Sequence, residues 1–170
     1  MKANSVGVEA LVSLAEDLLE EGIPLDVVCL DIGEKAVPRT DKDVLRTLIQ
    51  AYGDGDLVIP LGKDSGLVAL EVDEANGGLE TLGKLMKKVV IPKTATIVKP
   101  AGGPIYILLR FDGTTEMTRK TIGPGLDLVA NETCLVVPPK DDSDRSKGWW
   151  KSFPTNSEIC AVPENLAAFL

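Results

Sequence analysis

Two acidic residues at the end of an apolar run are the most informative feature of this sequence. Residues 66–73 read Gly-Leu-Val-Ala-Leu-Glu-Val-Asp, a pattern that predicts a strand running up to Glu71 and Asp73. Because side chains alternate between the faces of a strand, both carboxylates project from the same side. Two neighbouring carboxylates repel each other, which favours a shared proton or a bound divalent cation. This strand end is therefore the first candidate for a chemical site.

A third carboxylate, Asp127, stands far along the chain within residues 122–128, Ile-Gly-Pro-Gly-Leu-Asp-Leu. The Gly-Pro-Gly turn and the apolar neighbours predict a strand that starts at a sheet end. If this strand lies beside the strand of Glu71, the three carboxylates converge, which is the minimum for two-metal nucleotidyl transfer. Spacing alone supports this only weakly, since most aspartates after glycine turns form turns or caps.

The composition excludes several kinds of chemistry. The 170 residues contain no histidine, which removes zinc hydrolases, Ser-His-Asp triads and Cys-His nucleophiles. The net charge of −8 opposes nonspecific binding to nucleic acid unless basic residues are segregated on one face. Cys29, Cys134 and Cys160 form no Cys-x-x-Cys pair and fit a reducing compartment. No signal peptide or membrane-spanning stretch is recognised, so we expect a cytoplasmic protein.

Helical and strand patterns are interspersed along the chain, which predicts an α+β fold: a largely antiparallel sheet with packed helices. No repeat, low-complexity tract or linker divides the sequence, so residues 1–170 are expected to form a single domain. Predicted helices cover residues 8–19, 44–49, 79–90 and 163–170, the second capped by Thr40 or Asp41. Predicted strands cover residues 25–30, 57–61, 66–73, 94–99, 104–111 and 132–138, and a polar loop covers 140–148.

The helix predicted over residues 79–90 is amphipathic. Its lysines Lys84, Lys87 and Lys88 are expected on the solvated face, and Pro92 ends the helix. Its apolar stripe, which is expected to pack in the core, consists of Leu79, Leu82, Leu85, Met86, Val89 and Val90.

Several segments in register resemble the primase-polymerase domains at the start of plasmid and phage replication proteins, which belong to the archaeo-eukaryotic primase superfamily. The order and spacing match from about residue 8 to residue 139. The resemblance implies a sheet like an RNA-recognition motif beside a smaller α/β unit. It also implies template-directed synthesis of primers or DNA from nucleoside triphosphates with Mg²⁺ or Mn²⁺. The matching segments are residues 22–24, 61–63, 65–73, 76–80, 102–103, 123–127 and 136–139.

Carried over by position, the resemblance assigns catalytic and metal-binding roles to Glu71, Asp73 and Asp127. Glu71 stands where the family has an aspartate, so its carboxylate is displaced by about one bond length. The implied partners are single-stranded DNA, nucleoside triphosphates and a replication helicase or other replication proteins, with no membrane. The implied nucleotide-contacting residues are Lys63, Lys99, Gly102 and Gly103.

Three positions depart from the family pattern at the triphosphate pocket. Ala101 and Ile105 stand where the family has a serine and a histidine, and Val129 replaces an arginine. The pocket thus loses a hydroxyl, a ring donor and a positive charge. Charge-assisted contacts to a transferring phosphate are worth a few kcal/mol, so losing two should depress catalysis by roughly 10²-fold or more. We therefore expect a catalytically weakened domain that binds nucleic acid or nucleotide during DNA replication.

Two other functions stay open from the sequence: a working metal-dependent DNA primase/polymerase, and a non-enzymatic protein-interaction domain whose carboxylates meet by accident. The basic residues of the strand-rich half predict either a template-facing strip or solvated side chains at sheet edges. These basic residues are Lys93, Lys99, Arg110, Arg119 and Lys120.

Overall fold

The computed structural model describes residues 5–28, 35–53, 55–111, 118–131, 133–139, 147–154 and 159–167. Helices and two antiparallel sheets fill these ranges, which confirms the predicted α+β class. No described helix is both long and apolar enough to cross a membrane. The helices are α1 (Ser5–Glu20), α2 (Lys42–Ala51), α3 (Gly78–Met86) and α4 (Glu164–Ala167). The strands are β1 (Asp26–Val28), β2 (Asp56–Pro60), β3 (Leu67–Val72), β4 (Thr96–Val98), β5 (Ile105–Arg110), β6 (Lys120–Gly123), β7 (Leu126–Val129), β8 (Cys134–Val136) and β9 (Trp149–Ser152).

The smaller sheet has three strands in the order β1-β2-β8, and α2 packs against β1 and α1. Asp41 begins α2 as predicted: its carboxylate accepts from the backbone N–H groups of Asp43 at 2.9 Å and Val44 at 3.1 Å. In β1 the buried carboxylate of Asp26 accepts from the guanidinium of Arg39 at 2.8 Å. This pair fixes the loop before α2 to the small sheet.

The larger sheet has six strands in the order β6-β7-β3-β5-β4-β9. Its register aligns five residues across neighbouring strands: Thr121, Asp127, Glu71, Tyr106 and Ile97. Directly paired residues of antiparallel strands project from the same face. Glu71 and Asp127 therefore lie side by side, with Tyr106 on the other side of Glu71.

The two faces of the large sheet pack against different elements. On the Glu71 face, Leu67 and Ala69 join the core formed with α1, α2 and the small sheet. On the opposite face, Val68, Leu70 and Val72 pack with α3 and α4. Glu71 thus lies on the same face of β3 as these core residues, just past the last of them.

The sequence patterns do not predict β6 or β9. β6 is short and largely exposed, with the sequence Lys-Thr-Ile-Gly, and β9 begins with two tryptophans that break the alternation of apolar and polar residues. Cys29, residues 140–146 of the predicted loop and residues 168–170 of the predicted last helix lie outside the described residues.

Helix α3 is shorter than predicted, and the expectation that its whole apolar stripe packs in the core is wrong. Leu85 and Val89 are buried, but Leu79 and Met86 are each 51% exposed and Val90 is 82% exposed. The helix ends at Met86, so Val90 no longer keeps the helical phase that the sequence pattern implied, whereas Leu79 and Met86 lie within the helix on a side that no described element covers.

The end of β3 and the start of α3 lie so close to the turn before β7 that their backbones leave no room for side chains between them. The N–H of Asp73 donates to the carbonyl of Gly125 at 2.7 Å, and the N–H of Gly78 donates to the carbonyl of Asp73 at 2.8 Å. A Cβ on Gly78 would collide with the carbonyl oxygen of Gly125, and Gly125 itself has a φ of 65°. These two glycines therefore hold Asp73 beside the start of β7.

Replacing Gly78 with alanine tests this close approach. We expect Gly78→Ala to destabilise the fold by about 2 kcal/mol, because the new methyl group meets backbone atoms that cannot move independently. Gly83→Ala is the matched control, since its Cβ would meet nothing within 4 Å and should stabilise α3 by about 0.5–1 kcal/mol. Urea denaturation measures both changes, and equal stability of Gly78→Ala and the parent would contradict the close backbone contact at Gly78.

Candidate active site

A cleft of about 330 Å³ opens where the end of β3 meets the start of β7. Glu71, Asp73 and Asp127 all line this cleft. The antiparallel register sets Glu71 directly opposite Asp127, and Asp73 follows the last residue of β3. The structure therefore brings the three predicted carboxylates to one cleft, although their surroundings differ. Further lining comes from Asn76, Arg119, Thr121, Gly123, Pro124 and Gly125.

Arg119 lies between two of these carboxylates. Its Nε and Nη2 donate to Oδ2 of Asp127 at 2.9 and 2.7 Å, and Nη2 also donates to Oε1 of Glu71. The Glu71 and Asp127 side chains are 17% and 21% exposed, whereas Arg119 is 53% exposed. The hydrogen bond to Asp127, followed by that to Glu71, raises the pKa of Arg119. One guanidinium thus neutralises much of the repulsion that two adjacent carboxylates create.

Tyr106 holds the other oxygen of Glu71. Its hydroxyl donates to Oε2 at 2.8 Å, from the neighbouring position on β5. Burial, and then the hydrogen bond to Glu71, raises the pKa of Tyr106 above its ordinary value. Tyr106 therefore stays a donor at neutral pH, and both oxygens of Glu71 accept hydrogen bonds from the protein.

Asp73 is engaged in a local turn. Its Oδ1 accepts from the backbone N–H of Asn76 at 3.3 Å, and its Oδ2 accepts from the Asn76 side-chain amide at 2.6 Å. These contacts make Asp73 the N-cap of the 3₁₀ turn Glu74–Asn76. The cap orients this carboxylate at the edge of the cleft without linking it to Glu71 or Asp127.

The arrangement of these residues does not fit a divalent-metal centre. Within the ranges that the structure describes, no group of three His, Cys, Asp or Glu side chains could hold a metal ion. Carboxylate oxygens are suitable ligands for Mg²⁺ or Mn²⁺, but the Arg119 guanidinium occupies the position between Glu71 and Asp127. Because two cations at such a short separation repel each other, metal binding there requires Arg119 to move.

Lys63 lies at the other end of β3. It belongs to the turn between β2 and β3, where its backbone N–H donates to Oδ1 of Asn131 at 3.1 Å and its side chain is exposed. A strand rises about 3.3 Å per residue, so the four steps from Leu67 to Glu71 span roughly 13 Å. The structure does not bring Lys63 to the carboxylate cleft.

Gly102 and Gly103 form part of the turn between β4 and β5. Since Ile105 pairs with Val72, this turn lies at the same end of the large sheet as Asp73. Neither glycine is among the described residues that line the cleft. The turn therefore lies near the cleft, on the side of β5, but does not line it.

Lys99 joins the two sheets. Its Nζ donates to the carbonyls of Val136 in β8 at 2.9 Å and of Lys147 at 3.2 Å. Burial lowers the pKa of Lys99. The ammonium group of Lys99 thus binds backbone carbonyls, and Lys99 is not among the described residues that line the cleft.

The apolar departures from the family pattern have packing roles. Ile105 packs on the face of the large sheet that carries α3, opposite to Glu71. Val129 is buried in the core on the Glu71 face, paired with Ala69. The β5 residue that contacts the cleft carboxylate Glu71 is Tyr106, one position after Ile105.

Sequence reasoning missed the contacts of Tyr106 and Arg119. Strand alternation could have indicated Tyr106, because it must face away from its neighbour Ile105. Arg119 carries no comparable signal, since it precedes β6, which no sequence pattern predicts, and the sequence indicates only that it is one of several basic residues. Its place depends on the pairing of β6 with β7.

The predicted basic strip is largely engaged within the protein. The Arg110 guanidinium donates to the carbonyls of Glu21 at 2.8 Å and Gly22 at 3.2 Å. Arg119 pairs with the cleft carboxylates and Lys99 with backbone carbonyls. At least these three of the five predicted members have internal partners, which weakens the interpretation of a continuous template-facing strip.

An antiparallel sheet that presents acidic residues in a cleft at the end of its central strand defines the architecture of this α+β protein. The family model for the bifunctional DNA primase/polymerase, N-terminal domain matches residues 21–165, which include every strand of both sheets. The chain belongs to this family and is a primase/polymerase-like replication domain. Such domains generally use divalent metals. A search of curated proteins gives no match.

Removing Arg119 tests whether its guanidinium takes the place of a cation. We expect Arg119→Ala to bind Mn²⁺ about tenfold more tightly than the parent, since Glu71 and Asp127 then face each other uncompensated. Electron paramagnetic resonance of free Mn²⁺ measures the affinity. Arg46→Ala is the matched control, because Arg46 forms a comparable pair with Glu16 at 2.6 Å and lies outside the cleft. Unchanged or weaker Mn²⁺ binding by Arg119→Ala would show that Arg119 does not mask the carboxylates.

Proposed function

We propose that this domain binds nucleotide or single-stranded nucleic acid during DNA replication and that its metal-dependent nucleotidyl transfer is weakened. The observation that carries the proposal is the position of Arg119 between Glu71 and Asp127. Two carboxylates that already share a guanidinium attract a divalent cation less strongly than two uncompensated ones. Family membership supplies the replication setting.

The weakening follows from a competition between two cations. Metal binds only the fraction of molecules in which Arg119 has left the carboxylates, and apparent affinity falls in proportion to that fraction. Arg119 is half-exposed, so solvent screens its ion pairs and the competition is modest. If Arg119 leaves in about one molecule in ten to one in a hundred, the apparent metal affinity falls by about 10- to 100-fold.

The same residue supports phosphate binding. A guanidinium that swings out of the carboxylate pair presents a planar pair of donors that matches a phosphate group. Thr121, exposed and paired with Asp127 in the sheet, places a hydroxyl beside this position. A phosphate at the cleft mouth would therefore find one positive charge and one neutral donor from this chain.

The departures at Ala101, Ile105 and Val129 agree with weakened catalysis. Ile105 and Val129 are packed against apolar neighbours, so neither position can present a polar group to the cleft without losing that packing. The contacts that the family pattern supplies at these positions are therefore replaced, at most in part, by Arg119. Binding survives such a replacement more readily than catalysis does, because catalysis requires contacts that strengthen in the transition state.

A working primase/polymerase is the second candidate. It is favoured by the fact that Glu71, Asp73 and Asp127 line one cleft and by the 53% exposure of Arg119, which lets it leave without disturbing the core. This candidate requires a bound substrate to draw Arg119 away from the carboxylates. The two candidates therefore differ in what happens to one side chain when substrate binds.

Primer extension with labelled deoxynucleoside triphosphates and Mn²⁺ decides between them. We expect extension that is absent, or about 10²-fold below that of an active member of the family, because the phosphate contacts are reduced. Asp73→Asn should then change nothing measurable. Template-dependent extension by the parent that Asp73→Asn abolishes would establish the second candidate instead.

Anisotropy of fluorescein-labelled single-stranded DNA and of a labelled nucleoside triphosphate tests binding. We expect association at low salt that weakens steeply as salt rises, and a salt slope smaller by about one in Arg119→Ala, which loses one phosphate contact. Arg46→Ala removes the same charge from an ion pair outside the cleft and should match the parent. Absence of binding at low salt, or binding that Arg119→Ala leaves unchanged, would contradict the proposal.

A further inference from the structure

The outer side of α3 carries an apolar stripe that the fold leaves uncovered. Leu79 and Met86 are separated by two helical turns, so they lie on one side of α3, and each is 51% exposed. Gly83 lies between them, where an added Cβ would meet nothing within 4 Å, and Val90, just past the helix, is 82% exposed. Single exposed apolar residues are ordinary, but a connected stripe marks an interaction surface.

The stripe leads into a cleft of about 260 Å³ between the end of α3 and strands β4, β5 and β9. Its volume is below the usual range of small-molecule sites, which begins at about 300 Å³. An aliphatic cleft of this size instead fits one or two side chains of a partner. Its lining includes Met86, Ile91, Pro92, Thr96, Ile107 and Ser152.

The rim of this cleft is basic although the chain carries a net charge of −8. Residues 79–93 contain four lysines and a single acidic residue, Glu80, which pairs with Lys84 at 2.7 Å. Lys93 and Lys151 line the cleft itself, and Lys87 and Lys88 are exposed beside it. Opposite charge on a partner would be attracted to this rim and repelled by the rest of the surface.

We propose that this surface, the α3 surface, docks an acidic amphipathic segment of a protein partner. The α3 surface comprises the exposed stripe, the 260 Å³ cleft and the surrounding lysines. An apolar side chain of the partner fills the cleft, and carboxylates on either side of it face the lysines.

Nucleic acid fits this surface less well than a peptide does. None of the described residues that line the cleft is aromatic, so bases would find no stacking partner inside it. The nearby Trp150 packs into the core on the other face and donates its indole N–H to the carbonyl of Pro138 at 2.9 Å. The α3 surface also lies across the large sheet from Glu71, so a partner can dock while the carboxylate cleft is filled.

Methionine methyl resonances give a direct test in the intact chain. The chain has only three methionines, Met1, Met86 and Met117, so the ¹³C-methyl spectrum is simple and Met86→Leu assigns the Met86 signal. The probes are peptides of about 20 residues, the size of one side of a standard interface. One alternates Asp or Glu with Leu and Phe, a second carries Lys in place of its acids, and a third carries Ser in place of its apolar residues. We expect only the first to shift the Met86 signal.

Variants of the α3 surface sharpen the result. Val90→Asp combined with Lys87→Glu should weaken binding of the first peptide by at least about tenfold. The first change replaces an apolar side chain with a negative charge, and the second replaces a positive charge with a negative one. The matched control is Val44→Asp combined with Lys42→Glu, the same changes at exposed positions of α2. Equal thermal unfolding of both double variants confirms that the fold is retained.

Three results would overturn the proposal. The first is a Met86 signal that no peptide moves at about 1 mM, the weak end of specific binding. The second is a shift of that signal by single-stranded oligothymidine, which would make the surface a nucleic-acid site. The third is self-association in sedimentation experiments that Val90→Asp removes, which would make the occupant a second copy of this chain.

Discussion

The pairing of β3 with β7 forces two carboxylates to lie side by side. Glu71 and Asp127 are directly opposed in an antiparallel register, and both are mostly buried. Such a pair is stable only if a positive charge or a proton compensates it. Arg119 supplies that charge, and Tyr106 supplies a neutral donor to the remaining oxygen of Glu71. The turn at Gly125, tied to Asp73 by a backbone hydrogen bond, maintains the register that creates the need for this compensation.

The nature of the compensating cation connects the fold to its function. A fold can keep its sheet, its register and its acidic residues while the activity of its site changes, since fold and family do not by themselves determine catalysis. In this chain the compensating group is part of the protein and is tethered to the strand next to Asp127. A tethered guanidinium competes with a dissolved metal ion at every moment, and it also provides a donor for phosphate when it is displaced. We therefore propose weakened transfer and retained binding as two consequences of one residue.

Local sequence patterns predict the parts of the fold that local physics determines. The cap at Asp41, the strand before Glu71 and the turn before Asp127 follow from short-range rules of capping, alternation and glycine turns. The position of Arg119 does not, because it depends on which strand β6 joins, a contact that no local pattern encodes. Helix α3 shows the opposite error: helical periodicity correctly predicts a helix, but it extends the helix past Met86 and includes in the buried stripe side chains that the fold exposes.

The large sheet also separates two surfaces of opposite character. Successive residues of β3 project to opposite faces, so Glu71 lies in the acidic cleft while Leu70 and Val72 support α3 and its lysines. We propose that a ligand carrying phosphates meets Arg119 on one face and that an acidic protein segment meets Lys87 and Lys93 on the other. Because the net charge of −8 repels anions from the rest of the surface, anionic ligands should bind selectively at these local positive groups. A domain with little catalytic power could in this way still hold a nucleotide or nucleic acid next to a protein partner, using a single strand as the common support.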